Sequence, residues 1–248
     1  MIKRAIFLIL AICVLLTAAC GSNGETDNQK ITPQPVQTFD ADYTSAPNTF
    51  GTNPAVEVVA QKSYYFVNEN GNQIYFAIEY NNSGDCPIVV QNAIIKFKVN
   101  GIEFSKEFEP VLYNYFITFP NDIGYIAVWT DDIYSVGTDA AEIEIIGVSL
   151  EPLPTLPERY IIGVKDIRIV QNYTEFATVT GSIELNNEEF TACTIFCAFY
   201  DESNNLLGVW FFSLFDNTES FTSQLISLPI PDLAQNTKSI KAVGFGID

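Results

Sequence analysis

The residues able to do chemistry are few, and what is missing narrows the list further. Histidine is absent from all 248 residues, which removes Ser-His-Asp and Cys-His catalysis, His-ligated zinc and any imidazole pH switch. Carboxylates are abundant, with 30 Asp and Glu against 12 Lys and Arg, so adjacent pairs arise without a shared purpose. Glu188-Glu189 and Asp201-Glu202 read as turn acids, and Glu142 and Glu144, alternating with Ile143 and Ile145, read as the wet face of a sheet. Asp131-Asp132 differs because it follows Trp129 and precedes Tyr134. Trp129, Asp131, Asp132 and Tyr134 could stack a sugar ring and accept its hydroxyls, or contribute to a calcium site. They fit equally a core Trp followed by a solvated turn. Sequence gives no two carboxylates the facing separation a glycosidase needs. Gly-rich phosphate loops and helix-borne metal pairs are absent. No catalytic residue, cofactor or metal ligand is assigned.

Cys193 and Cys197 would share a face of an extended strand. At about 3.3 Å per residue their α-carbons are then about 13 Å apart, beyond the roughly 7 Å a disulfide tolerates and too far for both thiolates to grip one metal. Thr191, Thr194, Ile195 and the flanking aromatics favour strand over helix. Buried free thiols are the expectation, and Cys86, at a turn, has no evident partner.

At the N-terminus, Lys3 and Arg4 precede an unbroken apolar run, Ala5 to Leu16, too short to cross a bilayer but suited to the apolar core of a signal peptide. Small residues Thr17, Ala18 and Ala19 then lead to Cys20. This stretch resembles the lipobox of bacterial lipoproteins, with Thr17 where that family usually carries Leu. The resemblance implies cleavage before Cys20, diacylation of its sulfur and anchoring in the membrane on the extracytoplasmic face. Two acyl chains suffice for stable anchoring where one is marginal. An ordinary secretory signal cut after Ala19 is the alternative.

Loss of residues 1–19 removes Lys3 and Arg4, so 10 cations remain against 30 acids, a formal charge of −20. That balance repels phosphate backbones and anionic lipid and excludes nucleic acid as a partner. It keeps a secreted chain soluble, and it could recruit a cation or a basic partner. Residues 20–54 form a low-complexity tether, poor in apolar residues and expected to be flexible, with a mean span of about 30 Å.

From Ala55 the pattern becomes short β-prone runs broken by turn residues. Val56, Val58 and Val59, then Tyr64 to Val67, Asn70-Gly71, Gln73 to Tyr80 and the Asn81–Asp85 turn come first. Ile95, Phe97 and Val99 then alternate with Lys96 and Lys98 before Asn100-Gly101, after which Ile102 and Phe104 alternate with Glu103 and Ser105. Two period-2 runs across Asn-Gly predict a hairpin with a tight primed turn. Further strands are expected at 111–118, 123–130 and 141–150. The aromatic stripe Tyr113, Tyr115, Phe116 and Phe119 reads as a core strand. Residues 151–158, EPLPTLPE, read as a proline-stiffened linker between a first β-sandwich at 55–150 and a second at 159–248. The second is expected to hold strands at 160–170, 175–185, 190–200, 206–215, 221–227 and 238–245. Aligning Ile74 to Tyr80 and Asn81-Asn82 with Thr178 to Leu185 and Asn186-Asn187 makes the halves look like diverged copies.

At Cys197, Ala198, Phe199, Tyr200 and Asp201 the second half resembles the FxLYD type of bacterial immunoglobulin-like domain. Tyr200 and Asp201 match the motif's ending, Cys197 stands for Phe and Phe199 for Leu; the first half is similar in layout but lacks the Tyr-Asp pair. The resemblance implies two tandem immunoglobulin-like β-sandwiches, an all-β fold that strand periodicity reaches independently. The expected function is a lipid-anchored, non-catalytic binding module of the cell surface, with the membrane as one partner through Cys20 and an envelope protein or glycan as ligand. The alternatives are an accessory subunit of an envelope assembly and, third, a carboxylate-dependent hydrolase.

Overall fold

Asn-Gly turns and alternating side chains build the first half. The computed structural model describes residues 36–38, 50–68, 71–110, 116–130, 142–155, 160–171, 177–184, 192–215, 220–226, 230 and 232–247. Residues 1–19, expected to be a signal segment, Cys20 and the 156–159 stretch lie outside them. Strand β1 (Val36–Thr38) is followed by β2 (Val56–Asn68), β3 (Gly71–Asn82), β4 (Ile88–Val99), β5 (Ile102–Phe108), β6 (Ile123–Thr130) and β7 (Ile143–Pro154). β4 and β5 pair Val99 with Ile102. Asn100 and Gly101 between them have φ of 49° and 82°, the two left-handed positions a primed hairpin turn requires.

The second half contains β8 (Tyr160–Gln171), β9 (Ala177–Glu184), β10 (Ala192–Tyr200), β11 (Leu206–Phe215), β12 (Ser220–Ile226), helix α1 (Leu233–Asn236) and β13 (Ser239–Ile247). Its pairing repeats that of the first half with every strand number raised by six. Sheets β2-β3-β6 and β5-β4-β7 correspond to β8-β9-β12 and β11-β10-β13. In the second half β8 joins the two sheets, since Tyr160 to Ile162 pair with β13 and Gly163 to Gln171 with β9. The alignment of β3 with β9 expected from sequence falls on topologically equivalent strands.

Two buried layers follow from strand alternation. Ile74, Phe76, Ile78 and Tyr80 of β3 face Ala93, Ile95, Phe97 and Val99 of β4 and close the first sandwich. The alternate residues of β3, Tyr75 and Ala77, belong to a second cluster with Tyr125 and Ala127 of β6 and with Phe196, Ala198 and Tyr200 of β10. β3 is thus buried on both faces. The opposite side of β10 presents Cys193, Ile195, Cys197 and Phe199, which pack with Ile162, Val164 and Val179 in the same cluster. Residues Pro33–Asp248 form one compact unit.

The structure corrects several expectations. Residues expected to be a flexible tether include β1, which pairs in parallel with Ile240 to Ala242 of β13. It takes the half of the β13 edge that β8 leaves open. Phe50 packs against both buried clusters, and Gly51 and Asn53 are tied to Asp85 by hydrogen bonds, so the folded body begins before Ala55. The 151–158 linker is a strand through Pro154: Pro152 stands opposite Val90 and Pro154 opposite Ile88. A sheet edge tolerates proline because its missing N–H can lie on the unpaired side. Of the strand expected at 111–118, residues 111–115 with Tyr113 and Tyr115 lie outside the described residues. The remainder supplies only a bridge from Thr118 to Ile88, although Phe116 and Phe119 are core residues. Helix α1 was not foreseen, because four residues carry no readable period.

Candidate functional site

The end strands β5 and β6 of the two first-half sheets approach a cleft that Phe211 of β11 also borders. Its volume is about 530 Å³, and it is lined by Glu107, Phe108, Glu109, Ala127, Val128, Trp129 and Phe211. Trp129 occupies the same face of β6 as Tyr125 and Ala127, pointing toward the second half. In register with Tyr75, its ring lies 5.4 Å from that of Tyr75, 6.0 Å from Trp210 and 6.2 Å from Phe211. Rings on three sides fix the indole while its remaining surface faces the cleft; Trp129 and Phe211 are both half-buried. Glu107 and Glu109 are exposed and supply the only formal charges among the described lining residues.

Trp129 is therefore the one expected contact residue placed at a cleft by the structure. Asp131, Asp132 and Tyr134 lie outside the described residues. The acids that line the cleft with Trp129 are Glu107, in β5, and Glu109, just past its end, missed because they lie some twenty positions upstream. Their signal was the acid-aromatic-acid run Glu107-Phe108-Glu109 ending at Pro110, ordinary in isolation. Phe211 comes from the second half and could not have been paired with Trp129 from sequence.

A second polar arrangement holds the halves together. Tyr200 Oη donates to Glu79 Oε2 at 3.0 Å and lies 2.9 Å from Tyr125 Oη. With its proton committed to the carboxylate, Tyr200 accepts from Tyr125. All three residues are buried. Burial, then the adjacent Tyr125 hydroxyl and the Glu79 carboxylate, push the Tyr200 phenol far above its ordinary value. Burial likewise raises Tyr125. Nearby, the Tyr75 hydroxyl donates to the Val209 carbonyl and accepts from the Val209 N–H at 2.7 Å. These groups are proton donors fixed as phenols, suited to joining two faces and unsuited to proton exchange near neutrality.

Asp201, next in the chain, has a different task. Its Oδ1 accepts from the N–H groups of Ser203 and Asn205, both at 2.8 Å, and its Oδ2 accepts from Asn205 Nδ2 at 2.9 Å. The bonds to Asn205 and Ser203 hold its carboxyl below the ordinary aspartate range. They also stabilise the turn in which Asn204 has φ 62°. The Tyr-Asp ending thus divides into an interface phenol and a turn cap.

Cys86, Cys193 and Cys197 are buried free thiols, as the spacing of the latter two implied. Burial pushes Cys193 up to about 12 and Cys197 higher still. Among the described residues no group of three or more Cys, Asp or Glu side chains is arranged to hold a metal ion, and no helix is long and apolar enough to cross a membrane. No protein-family model matches the chain, and no curated protein matches it significantly.

Proposed function

We propose that this protein is a lipid-anchored, extracytoplasmic binding module without catalytic activity, built of two tandem immunoglobulin-like sandwiches. Its ligand contact is the Trp129 cleft. The single observation that carries the reading is that cleft: an indole packed against three rings that borders the same cleft as two exposed glutamates. The repeated six-strand pairing supports the tandem domains, and the Cys20 lipobox supports the anchor. A mostly apolar concavity with a few polar groups at its rim is the usual form of a ligand site.

The test is retention of the full chain on isolated envelope fractions, comparing wild type with Trp129→Ala. Loss of retention, with the melting temperature little changed, is the expected result. Equal retention of the two proteins would move the contact surface elsewhere. Cys20→Ala tests the anchor separately: membrane association and acylation should both disappear, and persistence of either would overturn the lipobox.

A further inference from the structure

The geometry points to the chemical class of ligand: a peptide that presents a lysine-type ammonium group to the Trp129 cleft. This rests on the cleft being the contact surface.

Charge is the first support. Among the described residues the lining includes Glu107 and Glu109 and no cation. Glu107 pairs in register with the exposed Ile94. A neutral sugar would leave two carboxylates with only hydroxyls to accept. An ammonium group instead gains charge-assisted hydrogen bonds from them.

Ring chemistry is the second support. Trp129, Phe211 and Phe108 offer indole and phenyl surface beside the acids. An ammonium on a flexible apolar stem can lay its methylenes along the rings and present its charge to ring face and carboxylate together. The fold already contains one such arrangement, with Lys241 Nζ 4.6 Å from the Tyr200 ring centroid.

Strand order favours a peptide as the carrier of that group. Among the described residues β5 ends one sheet and β6 ends the other, so the cleft lies between two sheet edges of the kind that pair with an extended chain.

The experiment uses detergent-solubilised full chain and two probes, acetylated and amidated trilysine and neutral chitotetraose, titrated by calorimetry at low and at physiological salt. Trilysine should bind, weakening about tenfold in the Glu107→Gln/Glu109→Gln double variant, the effect expected for two partly screened ion pairs. It should weaken at least fivefold in Trp129→Ala, but less than twofold in Glu57→Gln/Glu202→Gln, which removes the same charge from exposed positions outside the cleft. Equal weakening in both double variants would reduce the effect to net charge and overturn the inference. Binding of chitotetraose that depends on Trp129 but not on the two glutamates would also overturn it, while leaving the cleft as the contact surface. Indifference of both probes to Trp129→Ala would overturn the inference and the cleft together. Because Glu107 and Glu109 are exposed, the double variant keeps the comparison interpretable if Trp129→Ala fails to fold.

Discussion

The phenol of Tyr200 donates a hydrogen bond to the carboxylate of Glu79, 121 positions earlier in the chain. The bond lies inside the buried cluster that runs from Tyr75 and Tyr125 of the first half to Phe196 and Tyr200 of the second, and adds a polar tie to that apolar packing. Tyr200→Phe removes the donor and leaves Glu79 and Tyr125 buried with a partner missing. The expected loss is about 1–3 kcal/mol of unfolding free energy, measured by denaturant titration. A loss no larger than that of an exposed Tyr→Phe control would mean the interface does not depend on this bond.

Asp201→Ala should destabilise in a pH-dependent manner. The folded carboxyl titrates below the ordinary aspartate value of 3.8, so its contribution is fully present above that value and fades as pH falls through the folded pKa. Unfolding curves of wild type and variant should therefore differ at neutral pH and converge in acid. A difference that is constant with pH would remove the charge from the account.

Phe116 meets Tyr125, Phe196 and Phe245 at centroid distances of 5.7, 4.8 and 4.9 Å and is almost fully buried. Phe116→Ala should cost about 3–5 kcal/mol. An effect below about 1 kcal/mol would show that the two halves do not pack through this ring.

Tyr65 presents the opposite case. Its hydroxyl is buried without a hydrogen-bond partner among the described residues. Tyr65→Phe removes an unsatisfied polar atom at nearly constant shape, so the melting temperature should stay level or rise. A clear fall would reveal a partner for the hydroxyl.

The three buried thiols should resist alkylation in the native protein at pH 8, because the Cys193 thiol is pushed up to about 12 and Cys197 further by burial. Peptide mass spectrometry should find Cys86, Cys193 and Cys197 unlabelled until denaturant is added. Rapid native labelling of Cys193 or Cys197 would place that thiol at the surface.

Local patterns made much of the sheet structure legible. Asn100-Gly101 between period-2 runs predicted β4 and β5, and β6 was bounded as Ile123–Thr130 from sequence alone, because turn type and alternation are properties of neighbours. Three features escaped. Pro152 and Pro154 suggested a linker because tolerance of proline depends on being at a sheet edge, which is a property of topology. Val36–Thr38 reads as tether because three residues acquire strand character only from β13. The cleft was half visible in Trp129, while Glu107, Glu109 and Phe211 reach it through two other strands, and a face formed by long-range packing leaves no periodicity of its own.

The two-faced burial of β3 has a consequence for the order in which the chain acquires structure. As the polypeptide emerges from its N-terminus, the first sandwich can complete itself with strands no farther along than β7. The side of β3 and β6 carrying Tyr75, Ala77, Tyr125 and Trp129 must then wait for β10 and β11, which begin 38 and 52 residues after β7 ends. During that interval an apolar, aromatic sheet face stands open to water, the kind of surface that drives misassembly between nascent chains. A holding chaperone, or fast emergence of the second half, is therefore part of what this architecture demands.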